Sequence, residues 1–127
     1  MLGLPVRYLV ACLITVSLLM ISSSANAAEY RCRDNKVTKS GGTRFIIRTS
    51  GSNFSVTKSG GTLANVVKNS NRWAVKISGG TKATFDDQRI YRSGGTWGLV
   101  RDAKLTFDCP DHWAAALWVL KELSLIN

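Results

Sequence analysis

The chain has few of the side chains on which enzymes depend. Histidine occurs once, as His112, and glutamate only twice, as Glu29 and Glu122. The neighbouring carboxylates Asp86 and Asp87 do not suit acid–base catalysis, because adjacent residues point to opposite faces of a strand and are usually solvated in a turn. No glycine-rich loop has the spacing of a phosphate-binding loop between a strand and a helix. We therefore expect no enzyme and no cofactor.

Cysteine is also scarce, since the chain has three. Cys12 lies in the apolar run from Tyr8 to Ile21, which follows Arg7 and precedes small residues ending at Ala28, so residues 1–27 are predicted to be a secretory signal peptide. An uncleaved anchor is the alternative, although the run is shorter than the ~20 residues that span a bilayer. Cys32 and Cys109 are then predicted to form a disulfide in a periplasmic or secreted protein. Two lone cysteines and one histidine do not make a zinc site, so no metal is expected.

Acidic residues are fewer than basic residues. Without Arg7 the chain has 16 bases and 8 acids, which gives a net charge of +8. Such a charge favours anionic partners, such as polysaccharides, lipid head groups, nucleic acid or acidic proteins. The alternative is that the charge only maintains solubility.

Glycine, in contrast, recurs in a pattern. VTKSGGT occurs at residues 37–43 and 56–62, and SGGT returns at 78–81 and 93–96. Strands of about five to eight residues alternate with these SGGT turns and with Asn-, Ser- and Asp-rich turns, which predicts an all-β domain. We expect about eight strands in an up-and-down antiparallel barrel over residues 28–109, with paired glycines supplying positive φ in the SGGT turns. A hairpin at Arg101–Ala103 would add a ninth strand, and Cys32 and Cys109 would meet across the closing seam.

Residues 110–127 differ in character. Pro110 and Asp111 precede a helical pattern, HWAAALWVLKEL, with one broad apolar stripe that would pack on the barrel wall or plug its mouth. Trp118 and Leu125 fall off this stripe. The helix is predicted to be a structural lid, and the alternative is a partner or membrane contact through these two residues.

The bases near the SGGT turns form the candidate binding site. If all four turns lie at one end, they gather a basic rim made of Lys39, Arg44, Lys58, Lys82 and Arg92. Exposed backbone N–H groups of glycine turns add to anion binding. We expect an exported, non-catalytic protein that holds an anionic glycan or lipid head groups. The alternatives are that the SGGT copies are turns only, or that the protein is a structural component of the cell envelope. Nucleic acid is an unlikely partner of an exported chain.

A resemblance gives a further expectation. The opening Tyr30-Arg31-Cys32, the strand count and the closing segment from Leu99 to Cys109 resemble the periplasmic and membrane-bound inhibitors of c-type lysozyme, which are small exported barrels with a cysteine near each end. The resemblance implies a host protein, a c-type lysozyme, as partner. The inhibitors' Ser-Gly-x-x-Tyr and Lys-Gly segments do not occur in this chain.

Overall fold

The computed structural model describes residues 28–126. The predicted signal peptide, residues 1–27, lies outside the described residues. Residues 28–126 form ten strands and two helices, with these bounds: β1 Tyr30–Arg33, β2 Lys36–Lys39, β3 Gly42–Ser50, β4 Asn53–Lys58, β5 Gly61–Asn69, β6 Arg72–Ile77, β7 Gly80–Phe85, β8 Arg89–Arg92, β9 Gly95–Leu99, α1 Val100–Thr106, β10 Phe107–Asp108 and α2 Asp111–Glu122.

All ten strands belong to one sheet, in the order β10-β1-β2-β3-β4-β5-β6-β7-β8-β9. Strands β1 to β9 form the predicted up-and-down antiparallel meander, and β10 pairs with β1 in parallel. The predicted β-rich fold with a C-terminal helix is confirmed. Closure of a barrel is not confirmed, because β9 and β10 are the two edges of the sheet and do not pair.

The predicted hairpin at Arg101–Ala103 is wrong, because this segment is the helix α1. Val100 and Ala103 are buried, whereas Arg101, Asp102 and Lys104 are exposed. Apolar positions three residues apart share one face of a helix but not of a strand. The apolar residues of this segment therefore have the period of a helix. The helix α1 connects the edge strands β9 and β10, where the sequence predicted a hairpin.

The predicted disulfide is confirmed, although not across a seam. Cys32 in β1 and Cys109, directly after β10, are joined with Cα atoms 4.9 Å apart. Since β10 lies beside β1 in the sheet, the bond links neighbouring segments and fixes the start of α2 to the first strand.

The core lies between the sheet and α2. Each strand turns alternate apolar residues to one face, and the fully buried side chains Val37, Val56, Val75 and Ile90 repeat at equivalent places in four strands. In α2 the four consecutive residues 114–117 are all buried, and they cover every direction around a helix of 3.6 residues per turn.

The sheet curls around this helix. Trp113 packs near Phe54 of β4, with ring centres 6.4 Å apart, and His112 stacks on Trp73 of β6 at 3.7 Å. Trp118 lies against Gly98 of β9. The helix is thus enclosed on more sides than the single apolar stripe predicted. None of the helices in residues 28–126 has the length and apolar character needed to cross a membrane.

Candidate functional site

The four SGGT segments are two-residue hairpin turns. In each, Ser and the first Gly are the turn residues, and the second Gly already pairs in the next strand. Both turn residues have positive φ, which is the signature of a type I′ turn. The values are 54°, 52°, 53° and 54° for Ser40, Ser59, Ser78 and Ser93, and 81°, 83°, 83° and 83° for Gly41, Gly60, Gly79 and Gly94. The predicted hairpin turns are present, but serine shares the positive φ that was expected of the glycine pair.

These turns all lie at one end of the sheet, because alternate connections of an antiparallel meander share an end. We call it the SGGT end. The C-terminus of α2 lies there too, since the Lys121 ammonium is 3.2 Å from the carboxylate of Glu29, the residue before β1.

A β-bulge follows every SGGT turn. Val37 pairs with Phe45 and Thr38 with Thr43, so Arg44 is an extra residue in β3. The other three hairpins have the same irregularity at the same place. The four bulge residues are Arg44, Leu63, Lys82 and Trp97. The structural repeat is therefore a whole hairpin with its turn and its bulge, and not only the turn.

The residue before each turn points to the inner face, because it lies two positions after a buried apolar residue. These residues are Lys39, Lys58, Ile77 and Arg92. The three bases lie over aromatic rings, with the Lys39 ammonium 5.2 Å from the Tyr30 ring centre and the Lys58 ammonium 5.9 Å from that of Phe45. The Arg92 guanidinium lies 4.8 Å from the Trp97 ring centre.

The threonine of each VTK segment bonds to the preceding strand. Thr57 Oγ1 donates to the carbonyl oxygen of Ile46 at 2.9 Å, and Thr38 Oγ1 donates to that of Arg31 at 3.2 Å. Ile46 and Thr57 form the last pair between β3 and β4, and β3 and β4 separate beyond them. The hydroxyl thus satisfies a carbonyl where the sheet begins to open.

This opening creates a cleft between the first and second SGGT hairpins. We call it cleft A, and its volume is about 290 Å³. Its lining residues include three exposed bases, Arg44, Arg48 and Lys58, together with Ser59 and Gly60 of the next turn. None of its described lining residues has a carboxylate.

An equivalent cleft lies between the third and fourth hairpins, because β7 and β8 pair only at Thr84–Tyr91 and Phe85–Ile90. We call it cleft B, and its volume is about 320 Å³. Its described lining residues also include three exposed bases and no carboxylate, together with the turn residues Ser93 and Gly94. Its bases are Arg72, Lys82 and Arg92.

One wall of cleft B is held by a hydrogen-bonded chain. The Arg72 guanidinium stacks 4.2 Å from the Tyr91 ring centre, and the Tyr91 hydroxyl donates to Asp86 Oδ2 at 2.7 Å. The hydrogen bond to Asp86 raises the pKa of Tyr91. Partial burial alone would raise the pKa of Asp86, but hydrogen bonds from the Arg89 and Gln88 backbone and from Tyr91 lower it overall.

The bases of the two clefts are not paired directly with carboxylates of the described residues, although Asp86 interacts electrostatically with Arg72. None of their six bases forms an ion pair with a residue in 28–126. The sequence between Asp34 and Asp86 contains no acidic residue at all. Both clefts are therefore positively charged.

The opening between the second and third hairpins differs. Leu63 occupies its bulge position and Ile77 its pre-turn position, where clefts A and B have bases. Both side chains are half-buried and pack against the core. The basic clefts are thus separated by an apolar stretch of the same end.

Lys39, the fifth base of the predicted rim, has a structural contact. Its ammonium is 2.9 Å from Glu29 Oε2, and Glu29 Oε1 contacts Lys121 of α2. The hydrogen bonds from Lys39 and Lys121 lower the pKa of Glu29, and Glu29 raises the pKa of Lys39. Glu29 thus joins β2 to the end of α2, which makes Lys39 a poorer ligand residue than the other four.

The structure brings Arg44 together with Lys58, and Lys82 together with Arg92, as two separate pairs rather than one continuous rim. Sequence reasoning missed Arg48 and Arg72, which are not adjacent to an SGGT segment in the sequence. Strand alternation places both on the outer face, and that signal could have found them.

The other predicted interaction residues differ from each other. Trp118 is half-buried, packs against Gly98 and meets Trp97 edge to face at 5.1 Å and 72°. Leu125 is 42% exposed. Trp118 is thus part of the packing, and of these two residues only Leu125 offers an apolar surface.

His112 contacts side chains from two parts of the sheet region. Besides stacking on Trp73, its Nε2 lies 3.1 Å from Asp87 Oδ1. Within residues 28–126, no three His, Cys, Asp or Glu residues lie close enough together to hold a metal ion.

Comparison with known proteins adds no identity to this geometry: no protein-family model matches the chain, and no curated protein or solved structure matches it either.

Proposed function

We propose that the chain is an exported, non-catalytic binding protein that holds an anionic ligand, such as a cell-envelope or host glycan, at the SGGT end. The observation that carries the proposal is the pair of clefts, A and B. Each has three exposed bases and no carboxylate, and bases so placed attract anionic groups. Export is supported by the Cys32–Cys109 disulfide, since such bonds persist in oxidising compartments.

The geometry favours polyanions over neutral ligands. Arginine guanidinium groups bind carboxylate, sulfate and phosphate with two parallel hydrogen bonds, and clefts A and B contain two arginines each. The residues that line the clefts belong to paired strands and two-residue turns, so the bases project from a hydrogen-bonded frame. Binding at such a site depends on charge and weakens steeply with salt.

The test is binding to immobilised heparin at increasing salt. In the site variant the four bases nearest the turns are replaced: Arg44→Gln, Lys58→Gln, Lys82→Gln and Arg92→Gln. The matched control loses the same charge from exposed residues away from the SGGT end: Arg33→Gln, Lys36→Gln, Arg89→Gln and Arg101→Gln. We expect the site variant to elute at much lower salt than the native protein, and the control only slightly earlier. Equal losses in both variants, or no retention of the native protein, would contradict the proposal.

Inhibition of a c-type lysozyme and a purely structural role in the envelope stay predictions. A lysozyme turbidity assay with excess protein separates the first from ligand binding, because slowing of lysis that the site variant retains would point to a different surface.

A further inference from the structure

Clefts A and B have the same construction. In each, a base at the bulge position of one hairpin and a base at the pre-turn position of the next line the same cleft. Arg44 and Lys58 occupy these places in cleft A, and Lys82 and Arg92 in cleft B. Two sites with the same construction are expected to bind the same chemical group.

The two clefts lie at a fixed spacing. Cleft A opens between β3 and β4, and cleft B between β7 and β8, so four strand spacings separate them. At ~4.8 Å per spacing this is about 19 Å along the sheet. Because the sheet curls around α2, the straight-line distance is shorter. A single small anion cannot contact both clefts.

Between the clefts, the bulge and pre-turn positions have Leu63 and Ile77 in place of bases, and both are half-buried against the core. Lys76 of β6 is an exposed base within this stretch. A ligand that reaches both clefts spans up to about 19 Å, so it must have anionic groups at both ends of that distance.

We infer that the SGGT end is a bivalent site, in which one linear polyanion bridges clefts A and B. The inference rests on the proposed function and adds the class of ligand: a chain with repeated carboxylate, sulfate or phosphate groups, rather than a single anionic head group. Each cleft alone binds weakly through exposed bases. Binding of one end of the chain raises the effective concentration of the other end at the second cleft, which increases affinity without any new contact.

The test uses synthetic peptides of known maximum length to span the distance between the clefts, because an extended peptide reaches at most ~3.6 Å per residue. The bivalent probe has three glutamates at each end of a six-residue Gly/Ser linker, and the monovalent probe has the same linker with glutamates at one end only. Binding to the native protein is measured by calorimetry, at low salt. We expect one bivalent peptide per protein, at least tenfold tighter than the monovalent peptide, and two monovalent peptides per protein.

Variants that disable one cleft complete the experiment. Either Arg44→Gln with Lys58→Gln or Lys82→Gln with Arg92→Gln should reduce the bivalent peptide to the affinity of the monovalent one. Each should also leave a single monovalent site. The control pair Arg33→Gln with Arg89→Gln, away from the SGGT end, should keep the tenfold difference.

Equal affinity of the two peptides for the native protein overturns the bridging inference, and so does a bivalent advantage that survives the loss of either cleft. The proposed function would still stand in both cases, because it is decided by heparin retention of the four-base variant. No heparin retention of the native protein, or equal losses in the site and control variants, would remove both proposals.

Discussion

Asp86 is the carboxylate whose environment most clearly couples the fold to pH. It accepts hydrogen bonds from the Gln88 and Arg89 backbone, both at 2.8 Å, and from the Tyr91 hydroxyl. Because its folded pKa is lowered, its contribution to stability is fully present above the unfolded pKa of ~3.9 and is lost as the pH falls through the folded pKa. We expect Asp86→Asn to lower the melting temperature at pH 7 and to match the native protein more closely below about pH 3.

Melting curves between pH 7 and pH 2.5 check this expectation. Asp108→Asn is the control, since Asp108 is exposed and its carboxylate accepts no hydrogen bond from the described residues. A melting-temperature difference between native protein and Asp86→Asn that stays constant with pH would show that the ionised carboxylate does not stabilise the fold.

Gly98 is the residue that lets α2 approach the sheet. A Cβ atom at this position would lie 2.6 Å from Trp118 Cη2, whereas one at Gly95 in the same strand would meet nothing within 4 Å. Overpacking of this kind costs about 1–3 kcal/mol. We expect Gly98→Ala to lower the free energy of unfolding in urea by that amount and Gly95→Ala to change it little. Equal effects would mean that α2 is not held against β9 through Trp118.

The hairpins explain what the VTKSGGT segment does. Its valine is buried, its threonine hydroxyl caps the carbonyl of the preceding strand, and its lysine covers an aromatic ring. Serine and the first glycine make the turn, and the second glycine and the final threonine begin the next strand. Every position thus has a structural role, which accounts for the exact repeat without a ligand.

The two glycines of each SGGT segment should therefore differ in their tolerance of alanine. Gly60 has a φ of +83°, where a Cβ costs about 1–2 kcal/mol, while Gly61 has no positive φ and room for a Cβ at 3.6 Å from the Lys58 carbonyl oxygen. We expect Gly60→Ala to destabilise the protein by that amount and Gly61→Ala by clearly less. Ser59→Asn gives the Asn-Gly pair that type I′ turns prefer, and should stabilise the protein. A greater loss from Gly61→Ala than from Gly60→Ala, in urea unfolding, would contradict the turn assignment.

Across the whole molecule, the sequence predicted what depends on local patterns. Alternation gave the meander, the glycine pairs gave the turns, and the cysteines gave the disulfide. Two features depend on long-range packing and were missed. The sequence predicts a closed barrel and a strand hairpin at Arg101–Ala103, whereas the sheet is open and α1 connects its two edges. The enclosure of α2 also cannot be deduced from the residues of the helix alone. The pairing of Arg44 with Lys58 across cleft A also depends on bulge registers, which no single segment specifies.

The excess of positive charge, finally, should cost the fold some stability. Arg44 and Lys82 are exposed bulge residues with no ion pair to a described carboxylate, and each lies beside another base of its cleft. Removing both reduces repulsion and breaks no ring contact. Lys58 and Arg92 differ, because their contacts with aromatic rings contribute about 0.5–1 kcal/mol each.

We therefore expect Arg44→Thr with Lys82→Thr to raise the free energy of unfolding by a few tenths of a kcal/mol at low salt. The gain should vanish at 1 M NaCl, where the screening length is ~3 Å. Lys58→Gln with Arg92→Gln should instead lower the stability and keep most of that effect in high salt. Urea unfolding at both salt concentrations measures the difference. If Arg44→Thr with Lys82→Thr were destabilising at low salt, these bases would serve the fold itself; if it is stabilising, the stability of the fold does not account for their presence at the bulges.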